Sequence, residues 1–245
     1  GMIEMAKQTK TATAEVVTSI ETSGSGIMTI PGVKPKRIVT LIVGTAILVT
    51  HKFDEKTKND LVEKHKGAAK AGRTAKVPEK DFEAARYRLT DGSDGVPAGG
   101  VKACIVDGFG KDTGVFITKA KGGIRVIPDD TATNLVRILT PTPPRMREDV
   151  ARNANGNVDV RHRPEYFPWA MRLEIEFLEE VCSPQQLLQA IARSGFSVGL
   201  CEWRPSSKQS KSGSWGTFRL ATPEEVDAFE DGTLFDNEPM RIAAE

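Results

Sequence analysis

The sequence predicts an α+β fold, and two stretches carry that prediction. Residues 172–178 (RLEIEFL) alternate strictly, with Leu173, Ile175 and Phe177 on one face and Glu174 and Glu176 on the other, the period of a half-buried strand. An amphipathic helix and a further strand follow, completing a β-α-β unit, and such units are the halves of a ferredoxin-like fold. The second stretch is the β-branched apolar run 37–53 (RIVTLIVGTAILVTHKF), which with a helix near Val101 supplies the other half.

In chain order, residues 1–36 are rich in Thr, Ser, Ala and Gly and carry two short β-like patches, EVVTSI and GIMTI. They read as a flexible arm, ordered against a neighbouring subunit. The run 37–53 is the first core strand, with a bend expected at Gly44. Asp54 opens a helix reaching about residue 71, GRTAKVPEKD is a polar linker, and FEAARYRL is a short helix capped by Asp81, so 54–90 form a helical insert. TDGSDGVPAGG is a cluster of turn residues, and VKACIVDGFG after it reads as helix rather than strand.

GVFITKA, IRVIP and LVRILT have strand length and predict an antiparallel meander. PTPP at 141–144 stiffens the exit into a basic hairpin insert, 141–168, with Asn155-Gly156 as its turn. Beyond the alternating strand, Ser183 caps a helix with Pro184 at its first position and Gly195 closing it. The core thus spans 37–220, and 221–245 is an acidic tail, read as a disordered, solubilising segment, the alternative being that, with Phe229 and Phe235 among its acids, it competes with nucleic acid for the basic surface or recruits a partner.

The net charge of +1 conceals an uneven distribution. Residues 51–90 carry eleven Lys or Arg against seven acids, whereas residues 221–245 carry one Arg against eight acids, so the two regions call for separate readings. Three cysteines, Cys104, Cys182 and Cys201, are odd in number and lack C-x-x-C spacing, which fits free thiols in a reducing cytoplasm. Neither they nor the three histidines show a metal-ligand spacing, and no cofactor is implied. No apolar run approaches the roughly 20 residues of a membrane span, and no secretory signal is expected from the first residues.

The segment GLCEWRPSSKQSKSGSWGTF, preceded by RLEIEFLEEVCSPQQLLQAIARSGFSVG, resembles a family of uncharacterised tailed-phage proteins. Their C-terminal half ends in a GxxEWRP motif, a glycine-rich loop and an aromatic strand. LVTHKF, YRLTDGSDGVPAGGVKACIVDG and PPRMREDVAR occur in the same order, so the resemblance covers roughly residues 37–220. That family is similar in fold to Cas7-like proteins of the RNA-recognition-motif-like superfamily. The resemblance therefore implies a ferredoxin-like core with insertions that binds single-stranded nucleic acid. This chain differs in its longer loop, SSKQSK, and in Trp215 where Phe is usual.

The loop 204–216 is the first candidate site. Gly213 and Gly216 free backbone amides, Arg204, Lys208 and Lys211 supply cations for phosphate, and Trp203 and Trp215 can stack on bases. The alternative is a mobile surface loop with its tryptophans anchored in the core. The second candidate is Arg145, Arg147, Arg152, Arg161 and Arg163 with His162 and Tyr166 interleaved, a basic finger that follows a strand, or else a solvated or subunit-contacting hairpin whose charge Glu148, Asp149 and Asp159 temper. The Lys-rich stretch 52–80 is a third basic patch, or a solubilising face.

These features lead to a phage-encoded, non-enzymatic binder of single-stranded DNA or RNA that self-assembles into a homo-oligomer or filament. The alternative is a counter-defence or assembly protein that contacts a host, Cas-like complex. A metal-independent ribonuclease with His51 as general base is the third reading.

Overall fold

The computed structural model describes residues 17–22, 26–52, 77–152, 158–208 and 211–236. The chain divides into two compact units, Gly1–Pro35 and Lys36–Glu245. In the first, β1 (Val17–Thr22) and β2 (Gly26–Pro31) pair antiparallel from Val17 opposite Pro31 to Thr22 opposite Gly26. These strands coincide with the two β-like patches of the arm.

The second unit begins with β3 (Lys36–Gly44) and β4 (Leu48–Val49), then α1 (Pro78–Ala84), β5 (Gly95–Pro97), α2 (Ala98–Gly108) and α3 (Ile117–Gly123). It continues with β6 (Ile124–Ile127), β7 (Leu135–Arg137), β8 (Arg145–Arg152), β9 (Val158–Tyr166) and β10 (Ala170–Phe177). It ends with α4 (Pro184–Ser197), β11 (Phe218–Leu220) and α5 (Pro223–Glu230).

The main sheet has the order β11-β3-β10-β6, and every neighbouring pair is antiparallel. Its outer strands follow from that: β3 runs parallel to β6 with β10 between them, and β10 runs parallel to β11 with β3 between them. Two β-α-β units are therefore interleaved, one crossing through α2 and one through α4. Leu173, Ile175 and Phe177 of β10 are fully buried against these helices, as the alternation predicts. Where α2 meets α4, a side chain at Gly108 would collide with the Ala190 carbonyl, so glycine sets how closely the helices approach.

The run 37–53 breaks at Gly44 instead of continuing as one strand. Trp169, fully buried, lies against Gly44 and donates its indole N–H to the Ala46 carbonyl at 2.8 Å. Past this break β4 joins β9 and β8 in a second sheet, order β4-β9-β8, while β5 pairs with β7. The hairpin insert is thus the outer continuation of the main sheet.

Several expectations change. The first described helix starts at Pro78 with Val77 as N-cap and no side-chain cap, which puts Asp81 in its first turn rather than at the cap position. GVFITKA is largely helix α3, because helical spacing buries the small Ala120 and Gly123 while Phe116 and Ile117 stay exposed. No meander forms: β6 pairs with β10 and β7 with β5, which places them in different sheets. Ser183 does cap α4, in a reciprocal capping box with Gln186. Gly195 lies inside that helix, packed under the Phe218 carbonyl, and the turn out comes at Gly199 with φ +71°.

Residues 221–236 do not behave as a solubilising tail. Thr222 and Glu225 form a capping box for α5, and Leu234 is buried on the second face of the main sheet against Leu41, Val43 and Ala170. The helix expected at 54–71, the hairpin turn at Asn155-Gly156 and the end of the tail lie outside the described residues. Among the described residues no helix is long and apolar enough to cross a membrane, and no group of three or more His, Cys, Asp or Glu is placed to hold a metal ion.

Candidate nucleic-acid interface

Strand pairing decides what the hairpin arginines do. Arg145 lies opposite Glu165, Arg147 opposite Arg163 and Asp149 opposite Arg161, so these six share one face of the ribbon. Two arginines directly across from each other would repel, and the intervening carboxylates bridge them. Asp149 accepts from Arg147 Nε at 2.8 Å and from Arg163 at 2.7 Å, while Glu165 accepts from Arg145 and, at 2.7 Å, from Arg147. On the other face His162 meets Glu148 at 3.2 Å. Arg161 approaches Asp159 at 3.5 Å, and Arg152 ends β8 opposite Val158.

The finger is therefore an ion-paired scaffold more than a free basic surface. Arg163, 4% exposed, also donates to Glu202 at 3.0 Å, which ties the hairpin to the loop after α4. Arg147 places its guanidinium 4.5 Å from the Trp215 ring, a cation–π contact, and Trp215 lies 5.2 Å from Trp203. Burial alone would lower the Arg147 pKa, but the hydrogen bonds it donates to Glu165 and Asp149 outweigh it and raise the value. The two segments singled out separately in the sequence thus meet through Arg147, Arg163, Glu202 and Trp215.

The two ends of the loop are anchored. Leu200 N–H donates to Gly216 O, Trp215 N–H to Trp203 O, and Glu202 N–H to Val49 O, at 2.9 to 3.1 Å. Gly216, at φ +65°, packs its backbone on Leu200, and its amide donates to Ile47 O at 2.7 Å. That amide is committed within the protein and is not available to an anion, contrary to expectation. Gly213 packs likewise against the Trp203 and Arg204 carbonyls. Cys201 (φ +61°) and Trp203 (φ +45°) are left-handed without being glycine, strain of about 1–3 kcal/mol each that the surrounding bonds hold in place.

The strained turn leaves Trp203 44% exposed. Arg204 is exposed and folds back, donating to Cys201 O at 2.8 Å and to Ser206 Oγ at 3.1 Å. Lys208 and Lys211 are exposed and make no ion pair among the described residues. Most of the third basic patch, including Lys56, Lys58, Lys64, Lys66, Lys70 and Lys76, lies outside the described residues.

A cavity of about 250 Å³ opens behind the loop, and the sequence did not reveal it. His51, Tyr87, Asp107, Glu202 and Arg204 bring polar groups to it from four separate parts of the chain. Burial lowers the His51 pKa, with Arg161 and Arg163 acting in the same direction against Glu202. Burial raises that of Tyr87, and it pushes the Cys104 thiol on the cavity wall up to about 12. The PAGG run, read as turn residues, forms the entry to α2 at this cavity. Of its lining, the sequence singled out His51 and Arg204 for other roles and Glu202 as part of the EWRP motif, without bringing them together.

Fold and site together define an α+β protein with an aromatic, basic loop braced by an ion-paired hairpin beside a cavity of mixed polar and apolar lining. A scan of the chain against protein-family models finds no match, and a search of the curated proteins finds none with significant similarity.

Proposed function

We propose that the chain is a non-enzymatic protein, phage-encoded as the family resemblance implies, that binds single-stranded nucleic acid and self-assembles on it. In this reading its core is ferredoxin-like and RNA-recognition-motif-like, of the Cas7-like kind. The strand order β11-β3-β10-β6, with its two interleaved β-α-β units, supports such a core. The observation that carries the function is the convergence of hairpin and loop. Arg147 and Trp203 both contact Trp215, and exposed Trp203, Arg204, Lys208 and Lys211 stand outside the ion-paired network.

The mode differs from that of RNA-recognition motifs, which stack bases on aromatics of the open sheet face. Here that face presents Arg37, Val39, Arg172, Glu174 and Glu176 with no aromatic among them, and α5 with Leu234 covers its other end. Arg37 bridges Glu174 and Glu176, which further neutralises the open part. Bases would stack on Trp203 instead, with Lys208 and Lys211 on phosphate oxygens.

Fluorescence anisotropy with a labelled single strand at about 50 mM salt tests this, and wild type is expected to bind. Trp203→Ala is expected to weaken binding about tenfold, since stacking contributes about 1–3 kcal/mol per base. No binding by a homogeneous wild-type preparation overturns the reading. One observation favours a second function, a counter-defence or assembly role through a host protein: five hairpin arginines face four carboxylates within β8 and β9, leaving little free charge. Capture of a host partner that survives nuclease treatment, by a protein that binds no oligonucleotide, would decide for it.

A further inference from the structure

Stacking and phosphate contact on the loop leave the cavity behind it without a role. We propose that this cavity holds one nucleobase, supplied by a bound strand or by a free nucleotide. For a strand as the source, the inference rests on the nucleic-acid reading above.

Its volume, about 250 Å³, lies just below the roughly 300–1,000 Å³ of sites for drug-sized ligands, which suits a single heterocycle. Val96 and Leu200 give it apolar wall, and the Tyr87 ring offers a stacking surface. Asp107 and Glu202 bring carboxylates to the lining and Arg204 a guanidinium, while Glu202 is already paired with Arg163, so the cavity offers acceptors and a donor to a neutral body that carries both. Nucleobases combine ring and exocyclic N–H donors with acceptors on a flat apolar frame. His51 contributes its imidazole ring to the lining.

The exposed tryptophan and the cavity belong to one turn of the chain. Glu202 and Arg204 line the cavity while Trp203 between them is exposed, so one turn carries both the stacking side chain and two groups of the cavity.

Two adjacent glycines allow a matched test. Gly99 and Gly100 are both exposed in the first turn of α2, and an added side chain meets open space at either, but only Gly100 lines the cavity. Replacing a helical glycine by leucine raises helix propensity, so both variants are expected to fold. Affinity for a labelled single strand is measured by anisotropy, and affinity for free nucleoside monophosphates by calorimetry. Gly100→Leu is expected to weaken strand binding about tenfold, and Gly99→Leu to leave it unchanged. Nucleoside monophosphates that bind wild type but not Gly100→Leu add a free nucleotide as a source, whereas no such binding assigns the cavity to a strand base alone. Equal strand affinity in wild type and Gly100→Leu, with no monophosphate binding, overturns the cavity assignment and leaves the surface reading intact. Monophosphate binding lost in Gly100→Leu, in a protein that binds no strand, overturns the surface reading and keeps the cavity. A wild type that binds neither overturns both.

Discussion

Arg163 is the arginine the hairpin can least spare. It is 4% exposed and holds both Asp149 and Glu202, so Arg163→Met takes one of the two arginine partners of Asp149 and the partner of the partly exposed Glu202, and is expected to cost about 1–3 kcal/mol in urea denaturation. Arg145→Ala, at a side chain 76% exposed, is expected to cost no more than about 1 kcal/mol. His51 makes stability depend on pH. Burial depresses its folded-state pKa below 6.5, so as pH falls through about 6.5 the unfolded chain takes up a proton that the folded one resists, and stability declines. Between about pH 7.5 and pH 5.5 wild type should therefore lose more thermal stability than His51→Gln, and equal losses would remove this account. These residues were all legible as charged or titratable types. Their pairings were not, because Glu165 and Glu202 reach the arginines across strands and across the chain, where local spacing gives no signal.

At the scale of elements, α4 was readable because its signals are local: Ser183, Pro184 and Gln186 build the cap within one turn. Its end was not, since Gly195 serves a contact with β11, 23 residues further on, rather than a turn. The segment of α3 was misread because a few alternating residues cannot be told from a short helix until the core selects which of them to bury. The bend at Gly44 was foreseen, but its cause, the indole of Trp169, was not. Gly44→Val is expected to destabilise by at least about 1–3 kcal/mol by driving a side chain into that ring, which thermal denaturation checks. The C-terminal segment was hidden by its acids, although Leu234 is what it contributes. Leu234→Ala is expected to cost about 2–4 kcal/mol and to expose the patch of Leu41 and Val43 to an apolar dye; a silent substitution would contradict the packing role.

Over the whole molecule, both long insertions, between β3 and α2 and between β6 and β10, bring residues to the loop after α4, and the sheet face opposite the helices is partly sealed by α5. The proposed binding surface consequently lies where one hairpin, one strained loop and one cavity adjoin. Charge here is economical: Arg145, Arg147, Arg161 and Arg163 are engaged with carboxylates of the hairpin, and in the proposed function Arg204, Lys208 and Lys211 meet phosphate. The salt dependence of binding tests that claim most directly. The logarithm of the association constant for a single strand, measured between about 50 and 200 mM salt, should fall linearly with the logarithm of salt concentration. Changing Arg204, Lys208 and Lys211 together to Ala should reduce the slope by about 2, at about 0.7 per phosphate contact. An unchanged slope in that variant, or binding by wild type that ignores salt altogether, would contradict the account.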